Sequence, residues 1–326
     1  MEVSNVRPDA PVTRGPSRVG MIGLGRMGAA IASRLIDRGH PLLLHDVRAE
    51  AMVPLVARGA CAVGSAAEAM DVDVLITMVP DDRAVAAVWL DSDLVRRLPS
   101  ATVHVCMASI SYEMGNTLAE VHAQATRRYV AAPLFGRPFL AERGELDVIA
   151  AGDADAIASC RPVLDSIGRR VFEVGSIPAH ANLVKIARNF LVANVIESLG
   201  EAFGLCAKGG LDKARFLEVL LDTSLAAPAY RYYGEYCVAR SRETLLPMRL
   251  GLKDVELAVV AAEALDAHLP TAALIAEQMR AAISEGWGDR DWAALAEWVG
   301  ERSARSSDHA AVPKHPLPIG ARDPFR

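Results

Sequence analysis

The residues best suited to do chemistry share one face of one helix. From Ala179 to Gly209 the chain holds no proline, is rich in helix formers and ends at Gly209-Gly210, which predicts a single helix of about eight turns. Leu183, Val184, Ile186, Ala187, Phe190, Leu191, Val192, Val195, Ile196, Leu199, Phe203 and Leu205 make it apolar nearly all round, the pattern of a buried helix. Against that background Asn182, Lys185 and Asn189 recur at spacings of three and four, within about 60° of one another on the helical wheel. One reading of Lys185 is a snorkelling side chain paired with a carboxylate at the protein's edge. The other is a proton carrier facing a cleft, its pKa lowered toward neutrality by burial, with the Asn189 amide one turn on to orient a substrate.

Such a lysine needs a partner reagent, and the first part of the chain offers one. RVGMIG from Arg18 reads as a buried strand, followed by Gly23-x-Gly25-x-x-Gly28, an amphipathic run to Gly39, and the strand PLLLHD ending in Asp46. This is the dinucleotide-binding fingerprint in its strand–turn–helix context. Gly23 permits the tight turn, Gly25 lets backbone approach a pyrophosphate, and Gly28 lets helix pack on sheet; Leu24, Arg26 and Met27 fill the loop. The helix N-terminus offers unpaired N–H groups to phosphate. Asp46 can accept hydrogen bonds from an adenosine ribose and would repel a 2′-phosphate, so NAD is expected; Arg48 leaves NADP possible.

The elements that position these groups alternate. Ser65-Ala-Ala-Glu68 reads as a capping box opening a short helix, and DVLITMV (73–79) as a central strand leading to Val79, Pro80, Asp81 and Asp82. TVHVCM (102–107) leads to Ser109 and a helix over 112–127. RYVAAPL (128–134) leads to the loop Phe135-Gly136-Arg137-Pro138; LDVIAAG, a helix from Asp155 and RVFEVG follow. Ser109 and Arg137 follow strand carboxyl ends, where open α/β sheets bind ligands, although a helix cap and a surface charge would read the same. After Gly175 only helical patterns remain, at 211–222, around the tyrosines of 229–240, and at 249–267, 270–285 and 290–303. The expected class is α/β: a disordered lead-in (1–17), a Rossmann-type doubly wound sheet (18–176), an all-α substrate and dimerisation domain (177–305) and a proline-rich disordered tail (306–326), with the active site in the cleft between domains.

Composition excludes several classes. At 326 residues, 52% hydrophobic and 23% charged, the chain can bury a large core. A net charge of −5 without a basic run argues against nucleic-acid binding. Cys61, Cys106, Cys160, Cys206 and Cys237 are odd in number and show no C-x-x-C pair, which fits reduced thiols in a cytoplasmic protein. The N-terminus lacks the apolar core of a signal peptide, and no uncharged apolar run is long enough for a bilayer, so no membrane partner is expected. His104 and His122 lack partners at metal spacing, so no metal is assigned. Trp287, Trp292 and Trp298 read as core or interface anchors. The long apolar helix exceeds what a small domain buries alone, so a homodimer is expected.

With these motifs in order, residues 18–303 resemble the β-hydroxyacid dehydrogenase family, relatives of 3-hydroxyisobutyrate dehydrogenase and tartronate semialdehyde reductase, with 6-phosphogluconate dehydrogenase more distant. Gly23-Leu-Gly25-Arg-Met-Gly28, Val79-Pro80 with Ser109-Ile-Ser, Lys185-Ile-Ala-Arg-Asn189 and Gly251-Leu-Lys253-Asp254 carry the resemblance. It implies hydride transfer between NAD(P) and a β-hydroxy acid or semialdehyde, with Lys185 catalytic. Asn189, Ser109, Gly136, Arg137 and Phe135 would bind substrate; Val79, Pro80, Ser109 and Lys253 would line the cofactor. The family's D-A-P-V-S-G-G loop is here Ala131 to Arg137: Phe135 replaces a serine, implying a bulkier or less polar substrate, and Arg137 replaces a glycine and could hold a carboxylate. The alternative is an imine reductase on the same fold, which Phe135 would suit but in which a lysine at position 185 is unusual. A non-catalytic cofactor-binding scaffold is the third reading.

Overall fold

A computed structural model describes residues 16–305; the rest of the expected lead-in and all of the tail lie outside them. The sheet strands are β1 (Val19–Ile22), β2 (Leu42–His45), β3 (Cys61–Ala62), β4 (Val74–Thr77), β5 (Val103–Cys106), β6 (Arg128–Ala131), β7 (Leu134–Phe135), β8 (Leu146–Gly152) and β9 (Gly168–Glu173). Between them run α1 (Arg26–Asp37), α2 (Val53–Val56), α3 (Asp82–Trp89), α4 (Leu94–Arg97), α5 (Tyr112–Gln124), α6 (Pro138–Arg143) and α7 (Ala154–Ile167). The sheet order is β3-β2-β1-β4-β5-β6-β8-β7, with β9 beside β8. β1 to β6 run parallel to one another and β9 runs parallel to β8, whereas β8 runs antiparallel to β6 and β7. Strand order reverses between β1 and β4, so the crevice for a ligand lies at their carboxyl ends, where Gly23 and Pro80 follow.

Helices cover both faces, which is why β1, β4 and β5 are buried along their whole length, apolar except at Thr77 and His104. Val19, Met21, Val74, Ile76, Val103 and Val105 face one core; Ile22, Leu75 and Cys106 face the other. Two local expectations change. Ser65 to Glu68 opens only a 3₁₀ turn at Glu68–Met70, with Glu68 reaching back to the Gly64 N–H (3.1 Å) and the Ser65 hydroxyl (2.9 Å). The segment read as a loop at Phe135 carries β7 and α6, because Leu134 pairs with Val148 and Pro138 starts a helix at the position that needs no N–H.

The second core contains a polar chain the sequence did not reveal. His122 Nδ1 donates to the Leu118 carbonyl (2.7 Å), leaving Nε2 to accept from His104 Nδ1 (3.0 Å). His104 Nε2 then accepts from the Thr77 hydroxyl (2.9 Å), which accepts from Trp89 Nε1 (3.0 Å). The backbone acceptor at one end and the indole donor at the other fix both tautomers as neutral. Burial drives His104 well below the usual histidine range and His122 to about 4.

The helical elements are α8 (Ala179–Lys208), α9 (Lys213–Leu221), α10 (Pro228–Val238), α11 (Met248–Ala264), α12 (Pro270–Ala282) and α13 (Leu295–Arg305). The described residues divide into two compact units: 16–191 with Leu252–Ala276, and Val192–Gly251 with 277–305. In the second unit a Cβ on Gly200 would stand 2.8 Å from Ala296 Cα, so bare glycine sets how closely α8 meets α13. Trp298 and Trp292 are core there, Trp298 donating to Glu285 (2.8 Å), while Arg290 lies over the Trp287 ring. Glu197 is buried in this unit with no hydrogen-bond partner among the described residues, and burial raises its carboxyl to about 7. α8 is not buried all round as its composition suggests: Leu191 and Leu205 are 62% and 75% exposed. The helix is long and apolar enough to cross a bilayer, yet Asn182, Ile186, Asn189, Ala193 and Ile196 are packed inside protein.

Candidate active site

At the carboxyl end of β1 the glycine loop has the shape its sequence demands. Gly23 sits at φ +95°, and any Cβ there would lie 2.4 Å from the Met78 carbonyl. A Cβ on Gly28 would lie 2.1 Å from the Gly23 carbonyl, so only glycine lets α1 start against the loop. Gly25, at the N-cap, faces open space and offers no side-chain cap to α1, which leaves first-turn N–H groups for an anion. Asp46 accepts from Leu24 N–H (2.6 Å) and Arg48 N–H (2.9 Å), tying the loop to the end of β2. Arg48 lies 3.5 Å from the same carboxylate and is half-exposed. Arg26 begins α1, and Met27 packs on the first core. The open cradle at Gly25 and the donor-rich helix end fit a dinucleotide pyrophosphate.

The second group of residues assembles in the same compact unit, through the first turns of α8 and the middle of α11. Lys185 Nζ donates to the Leu134 carbonyl at 2.7 Å and stands 5.3 Å from the centre of the Phe135 ring. Burial lowers its pKa to about 8; Asp254 opposes that shift, and the charges of Arg188 and Lys253 add to it. Asn189 is buried and donates to Asp254 Oδ2 (2.9 Å), while Arg188 Nη1 reaches its Oδ1 at 3.4 Å. Lys253 Nζ donates to the carbonyls of Pro80 and Ser109, each at 3.0 Å, and so joins the loops that follow β4 and β5. Ser109 thus enters through its carbonyl. Its neighbour Ser111 caps α5 and is gripped by Asp82 through both N–H (2.9 Å) and hydroxyl (2.5 Å). An open hollow of ≈ 490 Å³ beside Lys253 is lined by Asp82, Ser111, Glu113, Glu256, Leu257 and Val260.

Gly136 lies at φ +139°, where a Cβ would meet Leu146 at 2.5 Å, so the loop cannot carry a side chain there. Val79 packs by Gly23. Arg137 occupies the residue before α6 in extended conformation, and its side chain does not cap that helix. Asn182, one turn before Lys185, is buried against Gly115 of α5, its carboxamide without a hydrogen-bond partner among the described residues. Two neighbours of Lys185 stood in the quoted motifs without a role of their own: Asp254, adjacent to Lys253, and Arg188, three residues on from Lys185.

Comparison with known proteins agrees with this geometry. Residues 18–175 match the NAD-binding domain of 6-phosphogluconate dehydrogenase, and residues 179–299 the NAD-binding domain of NADP-dependent 3-hydroxyisobutyrate dehydrogenase. A 3-hydroxyisobutyrate dehydrogenase of Pseudomonas aeruginosa is 30% identical over 78% of this chain and 89% of its own. An uncharacterised oxidoreductase of Bacillus subtilis is 36% identical over 86% of this chain and 99% of its own. The chain belongs to the β-hydroxyacid dehydrogenase family. It is an NAD(P)-dependent oxidoreductase, with NAD the expected cofactor and NADP possible. A solved 3-hydroxyisobutyrate dehydrogenase from Salmonella typhimurium superposes with a TM-score of 0.74 at 25% identity, covering 86% of this chain and 99% of that one. Solved imine reductases share the architecture, at a similarity that speaks for the fold alone.

Proposed function

We propose that the protein interconverts a small hydroxy acid and its carbonyl form, a semialdehyde or keto acid, with Lys185 as the proton carrier. The observation that carries this is an amine held near pKa 8 by burial, fixed by one hydrogen bond to Leu134 beside the Asn189–Asp254 pair. The bound nicotinamide cofactor supplies or accepts the hydride. Lys185 donates a proton to the substrate oxygen in reduction and removes it in oxidation, and a pKa near working pH allows both. Asn189, anchored by Asp254, holds the substrate in register with that amine. Lys253 sets the spacing of the Pro80 and Ser109 loops at the cofactor crevice. Gly136 and Phe135 shape the substrate side, and Arg137 stands at its border.

The presence of Lys185 favours carbonyl over imine chemistry: reduction of either takes up one proton, but an imine is basic enough to arrive protonated from solvent, whereas a carbonyl oxygen must receive its proton at the site. The relatives named above as dehydrogenases support the same choice. The test is NADH and NADPH oxidation against semialdehydes, keto acids and cyclic imines, wild type beside Lys185→Ala. Carbonyl-acid turnover that collapses in the variant supports the reading; turnover of imines alone, indifferent to the variant, overturns it. We infer further that the chain forms a homodimer in the cytoplasm: exposed Leu191 and Leu205 on α8 offer an apolar face, and free thiols suit a reducing compartment. A monomeric mass by light scattering at micromolar concentration would contradict the dimer.

A further inference from the structure

Beside the proton-carrying amine the chain places a second cation that hydride transfer does not require. Phe135, the second residue of β7, lies under both: Lys185 Nζ is 5.3 Å and Arg188 Cζ 5.0 Å from the centre of its ring. One phenyl ring therefore spans the two, and their separation cannot exceed those two distances laid end to end. Arg188 also reaches the Asn189 carboxamide, so it borders the group assigned to hold substrate. Placing a guanidinium there is unfavourable for the neighbouring ammonium, and the stacked ring limits where its planar fork can turn. A fork held over an aromatic face beside a substrate amide is suited to grip an anion through two parallel N–H bonds.

We propose that Arg188, seated on Phe135, is a specificity-determining residue that binds a second anionic group, carboxylate or phosphate, at the end of the substrate remote from the reacting carbon. This rests on the reading of Lys185 and Asn189 as the site of carbonyl-acid reduction. Phe135 then serves as a platform for Arg188 rather than a pocket for an apolar substrate, which reverses the implication drawn from its replacing a serine.

The test uses the cofactor-loaded protein and unreactive probes of matched length: succinate and 3-phosphonopropionate, each with two anionic ends, against butyrate, with one. Titration calorimetry is run on the wild type and on Arg188→Gln, with butyrate affinity as the check that the variant keeps its site. Both dianions are expected to bind about tenfold or more tightly than butyrate in the wild type, as one charge-assisted fork would give. In Arg188→Gln that advantage falls to about twofold or less while butyrate affinity is unchanged. A preference for succinate alone or for 3-phosphonopropionate alone, lost in the variant, still supports Arg188 and names the anion. Equal binding of all three by the wild type, or an advantage that survives in Arg188→Gln, overturns the proposal. Turnover in the panel of carbonyl acids separates the two failures: Lys185-dependent reduction without a dianion preference removes only Arg188's role, whereas no reduction of any carbonyl acid removes both.

Discussion

Replacing Lys185 with methionine should change stability by an amount that depends on pH in a specific window. The ordinary lysine pKa of 10.5 falls to about 8 in the folded protein. A folded-state pKa lowered for a base means the unfolded chain binds more protons between those values, so the wild type gains stability as pH rises from about 8 to 10.5 and bears the full penalty below 8. At about 1.4 kcal/mol per pKa unit the upper bound is about 3 kcal/mol, and solvent contact at this partly buried side chain reduces it to about 2 kcal/mol. Methionine removes that penalty but strips the Leu134 carbonyl of its donor, which costs about 1–3 kcal/mol. The two proteins should therefore be nearly equal in stability at pH 7, with the variant falling behind by about 2 kcal/mol at pH 10.5. Urea unfolding of both proteins at matched pH values reads this directly, because every other titrating group is common to both. A stability gap that stays constant from pH 7 to 10.5 would refute the lowered pKa. Kinetics give an independent reading of the same group: carbonyl reduction should decline above a pH of about 8, and alcohol oxidation should rise toward it.

Two buried sites act in the acid range with opposite signs. The His104–His122 pair, neutral when folded, must charge on unfolding, so stability falls as pH drops from 6.5 toward 4; His122 alone accounts for about 2 kcal/mol between pH 6.5 and 5. Glu197, raised from 4.5 to about 7, works the other way, since stability falls as pH rises through that interval. Two histidines outweigh one carboxyl, so the wild type should lose stability on acidification less steeply than the pair alone would give, Glu197→Gln should steepen that loss, and the His104→Leu/His122→Leu double variant should gain stability on mild acidification; urea midpoints from pH 4.5 to 7.5 check all three. Gly28→Ala should weaken cofactor binding by tenfold or more, because its Cβ would press on the Gly23 carbonyl at 2.1 Å and shift the loop that meets the pyrophosphate; NADH fluorescence titration measures it.

The cofactor half of the site was legible because its requirements are local. Gly23, Gly25, Gly28 and Asp46 lie within one strand–helix–strand unit, and their spacing alone encodes the turn. Lys185 and Asn189 were legible through helical periodicity. Asp254 and Leu134 were not, since they reach α8 from 65 and 51 residues away and nothing in the local pattern records the pairing. The side chain of Ser109 attracted attention, whereas the structure engages its carbonyl, a group every residue possesses. β7 is two residues long, too short to show alternation. On α8, hydropathy gave the same weight to buried Ile196 and exposed Leu205, because composition does not say which apolar face finds a neighbour.

The relay from Trp89 through Thr77, His104 and His122 to Leu118 has a direction, since each proton position is dictated by the group before it. Its history is constrained accordingly. A change at any one member strands a donor or an acceptor in a sealed interior, so substitutions there should enter lineages in compensating pairs, and the same replacement harmful alone should be silent beside its counterpart. Sequences descended from this chain would then carry the relay whole or lack it whole, which makes these four side chains a single heritable unit.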